Sequence, residues 1–413
     1  MAPANTSREQ AARIKSTPFP DGFVVRPTLS LQLALSVLSA LSVFTGPSRA
    51  AGAGAPATTL DAAVEREHAA NRFDGVVLVG RGGQLVYQRA IGWADRAGRL
   101  PHRVDESWPW ASVSKQVAAV LTMQLVEQDR LSLGARLDTL LPGFASPQAE
   151  SITLRQLLQH TSGLPNPDDS PLRGTGEQAV PSFYAARFSD AAGAMRAALA
   201  YCAGPPRAAA GAGFSYNNCD TWVLQAVLER VTGLPYVELL ERQLAAPLRL
   251  SRLAMAAPGG ALRGGPLGYL EDGQAEPFLN LASYGAGGAL IGTPEELWRF
   301  DHALMQGGLL GTEALKTLWQ GAPQLGYVAL GAWSFPARLP GCAEPVGLVE
   351  RRGQIGGVQV RNLLAPAFGA ALIVFSNTAA TEFGEIWQGR GLAHELAGAA
   401  FCSPSAAAAR PGG

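Results

Sequence analysis

Apolar positions along this chain follow two periods, and the places where one gives way to the other divide it. In "FDGVVLVGRGGQLVYQRAIGWAD" (73–95) two short apolar runs flank Gly82–Gly83. Runs of that length around a glycine pair predict two strands joined as a hairpin. A helix is predicted just before them, over Thr58–Asn71. From Ser114 onward Val117, Val120, Leu121, Leu125 and Val126 keep helical spacing. "SITLRQLLQHTSGLP" (151–165) predicts a short amphipathic helix stopped by Gly163 and Pro165. Residues 165–213 are rich in Pro, Gly and Ala, with one helix expected near Ser189–Tyr201. "NNCDTWVLQAVLERVTG" (217–233) reads as a helix ending at Gly233. In "TPEELWRFDHALMQGG" (293–308) Thr293 is the expected N-cap, Pro294 the first helical residue and Glu296 the closure of a capping box.

The last part, "VGLVERRGQIGGVQVRNLLAPAFGAALIVFSN" (346–377), returns to strands and turns, and a closing helix is expected over Glu382–Phe401. Strands at both ends with helices between them predict an α+β fold. Its sheet is built from both termini, and a mainly helical region, about 112–290, is inserted between them. No internal repeat is found. Residues 403–413 read as a frayed tail.

The first fifty residues do not fit this scheme. Arg13, Lys15 and Arg26 precede the apolar run Leu29–Phe44, and "GPSRAAGAG" follows with Ser48 and Ala50 at small-residue positions. This is the pattern of a secretory signal, too short for a membrane span; a buried N-terminal helix is the alternative. The long basic stretch places the true start near Val24 or Val25. Residues 51–57 then form a linker and 58–402 the folded domain of a secreted, periplasmic protein. No Cys lies near the cleavage site, so no lipid anchor and no stable membrane attachment are expected after cleavage.

Export bears on Cys202, Cys219, Cys342 and Cys402, which allow three pairings. Nearness in sequence favours Cys202–Cys219 and leaves Cys342–Cys402; four buried thiols are the other reading. With no C-x-x-C and five scattered His, a zinc site has no support, and no metal or organic cofactor is expected. Formal charge is zero with no basic block, which argues against nucleic acid as a partner.

Candidate chemistry begins with lysine usage. Of thirty-three Lys plus Arg, only Lys15, Lys115 and Lys316 are lysines. Lysine can lose its proton when buried, whereas arginine cannot. Lys115 stands three residues after Ser112, on the same face of a helix if Ser112 opens it. A neutral Lys115 amine could then take the Ser112 proton. The plainer reading makes Ser112 an N-cap and Lys115 a solvated first-turn residue.

"FSYNNCDTW" supplies Tyr216 and Asn218, a phenol able to relay a proton and an amide able to bind a substrate carbonyl and hold Lys115. "ERRGQIGGVQV" supplies Arg351 for a substrate carboxylate and Gly353 for close backbone approach. The N–H of Gln354, together with that of Ser112, would make an oxyanion hole. Taken singly, the first is equally a packing tyrosine before an N-cap asparagine, and the second an ordinary strand with surface arginines.

These three pieces, in this order, resemble the penicillin-recognising serine hydrolases. The class C β-lactamases, D-alanyl-D-alanine carboxypeptidases and related esterases are the most similar. "LSLGARLDTLLPGF", "ITLRQLLQHTSGLP" and "GAGGALIGTPEELWRF" share the likeness, which covers residues 58–400. The resemblance implies a β-lactamase/transpeptidase-like fold. It makes Ser112 the acylated nucleophile, gives Lys115 and Tyr216 the proton traffic, and assigns substrate binding to Asn218, Arg351, Gly353 and Gln354.

Arg351-Arg352-Gly353 departs from the family's third motif, where Lys or His is usual two residues before Gly. That favours a peptidase or esterase over a dedicated β-lactamase. The expected partner is a D-Ala-D-Ala-type peptide, a β-lactam or a small ester. A non-hydrolysing penicillin-binding sensor or a degenerate binding scaffold is the alternative. His160 is read as structural, fixing the turn at Thr161–Gly163.

Overall fold

The computed structural model describes residues 55–257 and 265–402; the expected signal segment and the tail after Cys402 lie outside them. Six antiparallel strands form the main sheet. They are β1 (Gly75–Arg81), β2 (Gln84–Ile91), β3 (Trp333–Ala337), β4 (Val346–Ile355), β5 (Val358–Ala365) and β6 (Ala370–Ser376). Their spatial order is β3-β4-β5-β6-β1-β2. The first strand therefore pairs with the last, Gly75 opposite Ser376 and Arg81 opposite Ala370, and everything between β2 and β3 is an insertion.

The sheet is covered on both faces, which is why its central strands read as unbroken apolar runs rather than alternating ones. Val77, Val79, Leu363, Leu372 and Val374 pack with Leu60 of α1 (Ala55–Ala69) and with Leu396 of the C-terminal helix. Val76, Leu78, Val360, Ile373 and Phe375 face the inserted helices. Edge strand β2 alternates between exposed and half-buried positions.

At the centre of the inserted layer lies α2 (Ser114–Glu127), buried from Ser114 to Met123 on every side. Two of its polar side chains are satisfied locally: Thr122 Oγ1 donates to the Ala118 carbonyl, and Ser114 Oγ accepts from Leu290 N. Around it stand α3 (Leu154–Leu158), α4 (Ala191–Cys202), α5 (Cys219–Thr232) and α6 (Pro294–Met305). The Thr293–Glu296 capping box is formed as expected, and Gly233 ends α5 at φ 72°.

Some boundaries differ from expectation. The helix expected over Thr58–Asn71 runs over Ala55–Ala69. The helix expected over 151–165 is only α3, started by a Thr153–Gln156 capping box and ended where His160 turns left-handed at φ 55°. The closing helix starts ten residues later than expected, as α7 (Leu392–Cys402). Gly384, Gly389 and Gly391 take φ of 70°, 66° and 95° just before it, conformations that a right-handed helix excludes. Strand β3 has no counterpart in the sequence reading: it is an edge strand of five residues interrupted by Pro336, which weakens any strand signal.

Two disulfides, Cys202–Cys219 and Cys342–Cys402, are formed in the favoured pairing. The first joins the end of α4 to the start of α5 and bridges 17 positions. Replacing both its cysteines by alanine should lower unfolding free energy by about 3 kcal/mol, the loop-closure value for such a span. Superimposable denaturant curves for variant and parent would contradict this.

Candidate active site

Ser112 sits in one 3-10 turn, Ala111–Val113, that runs directly into α2. Ala111 takes φ 45°, a left-handed conformation costing on the order of 1–2 kcal/mol for a residue with a Cβ. Packing over-determines it, since Trp110, Ala111 and Val113 are all buried and Trp110 N donates to the Leu290 carbonyl at 2.8 Å. The kink aims the Ser112 side chain away from the core while Lys115, one turn on, stays inside.

Three expected residues meet there. Ser112 Oγ lies 2.7 Å from Tyr216 Oη, and Lys115 Nζ donates to Ser112 Oγ at 3.3 Å. Lys115 Nζ also donates to Asn218 Oδ1 at 2.7 Å and to the Gly287 carbonyl at 2.6 Å. Asn218 Oδ1 and the Gly287 carbonyl take two protons of the amine, while Ser112 Oγ either accepts a third from an ammonium or donates to the lone pair of a neutral amine. These contacts fit both the neutral amine expected at position 115 and an ammonium, and burial favours the neutral form.

Arg351 departs from expectation more strongly. It is only 1% exposed. Its Nε donates to the Ser112 carbonyl at 2.7 Å and its Nη2 to Tyr216 Oη at 2.8 Å. The guanidinium also lies over the Tyr216 and Trp333 rings, 5.3 and 5.2 Å from their centroids. Expected to grip a substrate carboxylate, it lines the cavity described below and also ties the Ser112 backbone to Tyr216. A planar fork sets both bonds in one fixed geometry.

Burial pushes the Tyr216 phenol up, but the Lys115 and Arg351 cations outweigh burial and bring it down to about 8. Burial pushes Lys115 down, Tyr216 pulls it back up, and Arg351 adds to the lowering. Lys115 and Tyr216 thus form one coupled pair sharing a proton. Arg351, which stays charged, biases that pair toward phenolate and ammonium. The arrangement can remove a proton from Ser112 and hand it on.

Asn218 also differs. Its Nδ2 donates to Tyr184 Oη at 2.7 Å and to Asp168 Oδ1 at 3.1 Å. Both amide hydrogens are committed to protein acceptors, so the side chain holds Lys115 instead of offering a donor to a substrate carbonyl. Sequence reasoning missed Asp168, Tyr184 and the Gly287 carbonyl. The first two fall in the Pro/Gly/Ala-rich stretch, where no motif marks them. His160, expected to be a turn residue only, packs its ring 4.7 Å from that of Tyr216, with Nδ1 2.9 Å from Asp220 Oδ2. Its carbonyl accepts from Ser215 N at 2.8 Å, so it also secures the chain beside Tyr216.

The site opens into a cavity of about 310 Å³ bounded by Ser112, Tyr216, Tyr284, Trp333 and Gln354. Tyr184 and Tyr284 stack on its wall with centroids 4.0 Å apart. Among the described residues no group of three or more His, Cys, Asp or Glu is placed to hold a metal ion, and no helix is long and apolar enough to cross a membrane.

The beta-lactamase family profile matches residues 60–386, most of the chain. The chain belongs to the beta-lactamase family. Within it, a putative penicillin-binding protein, PbpX of Bacillus subtilis (strain 168), is 23% identical over 74% of this chain and 71% of its own length. Esterase EstB of Burkholderia gladioli is 32% identical, over 46% of this chain and 50% of the esterase. A D-amino acid amidase from Ochrobactrum anthropi SV3, solved with L-phenylalanine amide, superposes with a TM-score of 0.68 at 19% identity. That superposition covers 83% of this chain and 98% of the amidase. The chain is a beta-lactamase-fold serine hydrolase.

Gly353, on β4, lies against the nucleophile's turn. A Cβ there would stand 2.9 Å from Ser112 N, 2.9 Å from Ala111 Cβ and 3.0 Å from the Trp110 carbonyl. Backbone would have to move to admit it. Gly353→Ala should therefore cut kcat for any substrate by on the order of 100-fold, with thermal stability far less affected. A variant turning over at the parent's rate would remove Gly353 from the site.

Proposed function

We propose that the chain hydrolyses an ester or amide through an acyl-enzyme on Ser112, with the Tyr216 phenolate as general base. The observation that carries this reading is the 2.7 Å contact between Ser112 Oγ and a Tyr216 oxygen flanked by Lys115 and Arg351. Oγ attacks the carbonyl carbon as its proton passes to Tyr216. The N–H groups of Ser112 and Gln354 receive the developing oxyanion. Tyr216 then gives the proton to the departing alcohol or amine, accepts one from the water that releases the acyl group, and returns it to Ser112. Lys115 and Arg351 keep their charges throughout.

Substrate preference follows from Arg351. With two of its five N–H groups held by Ser112 and Tyr216 and only 1% of it exposed, it offers a weak grip on a carboxylate beside the scissile bond. A small ester or amide with a neutral leaving group fits the cavity better than a carboxypeptidase substrate or a β-lactam. The relatives named for esterase and amidase activity agree with that preference. Two disulfides suit an oxidising compartment, and with the signal-like N-terminal segment they support export.

Ser112→Ala should abolish covalent labelling by a fluorophosphonate in intact-mass spectra; an adduct that persists elsewhere refutes the assignment. A β-lactam adduct on the parent that never turns over would favour a sensor. Lys115→Arg should lose most of the rate although the charge is kept, because the bulkier fork cannot reach all three acceptors.

The base works deprotonated, so kcat/KM for a neutral ester should be lost as pH falls through about 8, the Tyr216 value. Arg351→Gln removes a cation from Tyr216 and should move that limb to higher pH by about one unit. A limb that stays in place with only a raised KM for carboxylate-bearing substrates would return Arg351 to a substrate-binding role.

A further inference from the structure

Beside the catalytic residues, outside the cavity lining, a second polar cluster joins three elements. Asp301 of α6, Asn362 of β5 and Gln116 of α2 meet in the core, the first two with no exposed surface and Gln116 nearly so. Asn362 Nδ2 donates to Asp301 Oδ1 at 3.1 Å and to Gln116 Oε1 at 3.3 Å; Gln116 Nε2 donates to Asp301 Oδ1 at 3.4 Å. Two buried atoms of the cluster have no partner, Asp301 Oδ2 and Asn362 Oδ1.

That pair of orphans is informative. If Asp301 were ionised, both would be acceptors facing a core without a donor, and the carboxylate would lack a cation. A single proton on Oδ2 supplies the missing donor, and the acceptor it needs stands on the same amide that already donates to Oδ1. A carboxylic acid and an amide then close a two-bond ring and no atom is left over.

We propose that Asp301 is a carboxylic acid, neutral at neutral pH and paired reciprocally with Asn362, and that this knot fixes the spacing of Lys115 and Arg351 on either side of Tyr216. Gln116 follows Lys115 on the catalytic helix, and Asn362 is the cross-strand partner of Arg351. The cluster therefore ties the helical turn carrying one cation to the strand pair carrying the other. Asp301 touches neither Ser112 nor Tyr216; it is a positioning residue.

The surrounding charges do not disturb this assignment. On α6 itself Glu296 is held by Thr293 and Arg252 N, Arg299 pairs with Glu295, and His302 stacks on Trp298. On α2, Lys115 turns to Tyr216. On β5, Arg361 lies over Phe383 and near Glu350 on the opposite face of the sheet. On β4, Arg351 is committed to Ser112 and Tyr216. Strand β6 has no titratable side chain, and Arg81 at the end of β1 donates to the Ala400 carbonyl. Burial accordingly holds the Asp301 carboxyl well above the usual carboxylate range, with only the Asn362 and Gln116 hydrogen bonds opposing it.

The protonation does not depend on the hydrolase reading, although its consequence for Lys115 and Arg351 does. Asn is the isostere of the neutral acid, since its NH2 replaces the Oδ2 proton. A folded-state proton held to higher pH than in the unfolded chain stabilises fully below the unfolded value near ~4 and is lost as pH rises toward the folded value. The melting temperature of Asp301→Asn should therefore gain steadily on that of the parent as pH rises. A difference infrared spectrum at neutral pH should lose the C=O stretch of a protonated carboxyl. Parallel melting curves, or no such band, overturn the neutral acid whatever the protein hydrolyses.

For the positioning role, Asp301→Ala should lower kcat on a neutral ester by on the order of tenfold, leave KM near the parent's, and shift the acid limb of the rate profile. If Asp301→Ala does not fold, Asn362→Asp takes its place. Two facing acids lose their ring once one ionises, and the limb should shift in that variant too. An unmoved limb with unchanged kcat overturns the positioning role and leaves the protonation result standing.

Discussion

One phenol oxygen organises this molecule. Tyr216 Oη accepts from Arg351 and shares a hydrogen bond with Ser112, and the Lys115 ammonium lies 5.0 Å from the ring centre. A buried phenol resists ionisation and two buried cations resist burial, yet each offsets the cost of the others. Together they bring the phenol down to about 8 beside a serine hydroxyl. The constraint on the rest of the fold is to bring a helix, a loop and a strand to one point and keep them there.

The two layers divide that task. The inserted helical layer carries Ser112 and Lys115 on α2, with Tyr216 and Asn218 at the entrance to α5. The sheet carries Arg351 and Gly353 on β4. The nucleophile therefore lies at the seam, and its carbonyl is bonded across it by Arg351. Bonds from the loop after α3 stiffen the seam. Asn217 Nδ2 donates to the Leu164 carbonyl, Asn218 N donates to Asn166 Oδ1, and Asp220 receives His160 and Ser162. The Cys202–Cys219 bridge closes the same corner from the other side.

An arginine at position 351 also explains a departure that looked like a weakened motif. Read as a substitute for lysine or histidine, it is merely another cation. In place, it is a two-point clamp holding the Ser112 backbone and the Tyr216 oxygen at a set distance. Under the proposed function, that use shifts the expected chemistry toward neutral esters and amides. Asn218 shows the same reassignment on a smaller scale, since its amide faces inward to Asp168 and Tyr184.

Periodicity and spacing carried the element types well. The capping box at Thr293, the stop at Gly233, the hairpin at Gly82–Gly83 and the two-ended sheet are local or near-local consequences of residue type. Proximity of Ser112 to Lys115 was equally legible, because three helical positions determine it. That Asn218 holds Lys115 and that His160 is structural was legible; the bonds of Arg351 were not, nor was the membership of Asp168, Tyr184 and Gly287 in the site. Their partners lie up to 239 positions away along the chain. A side chain's role depends on which distant donors and acceptors reach it, and burial then decides its charge. Local pattern specifies the parts, whereas charge state and hydrogen-bond allegiance are properties of the packed whole.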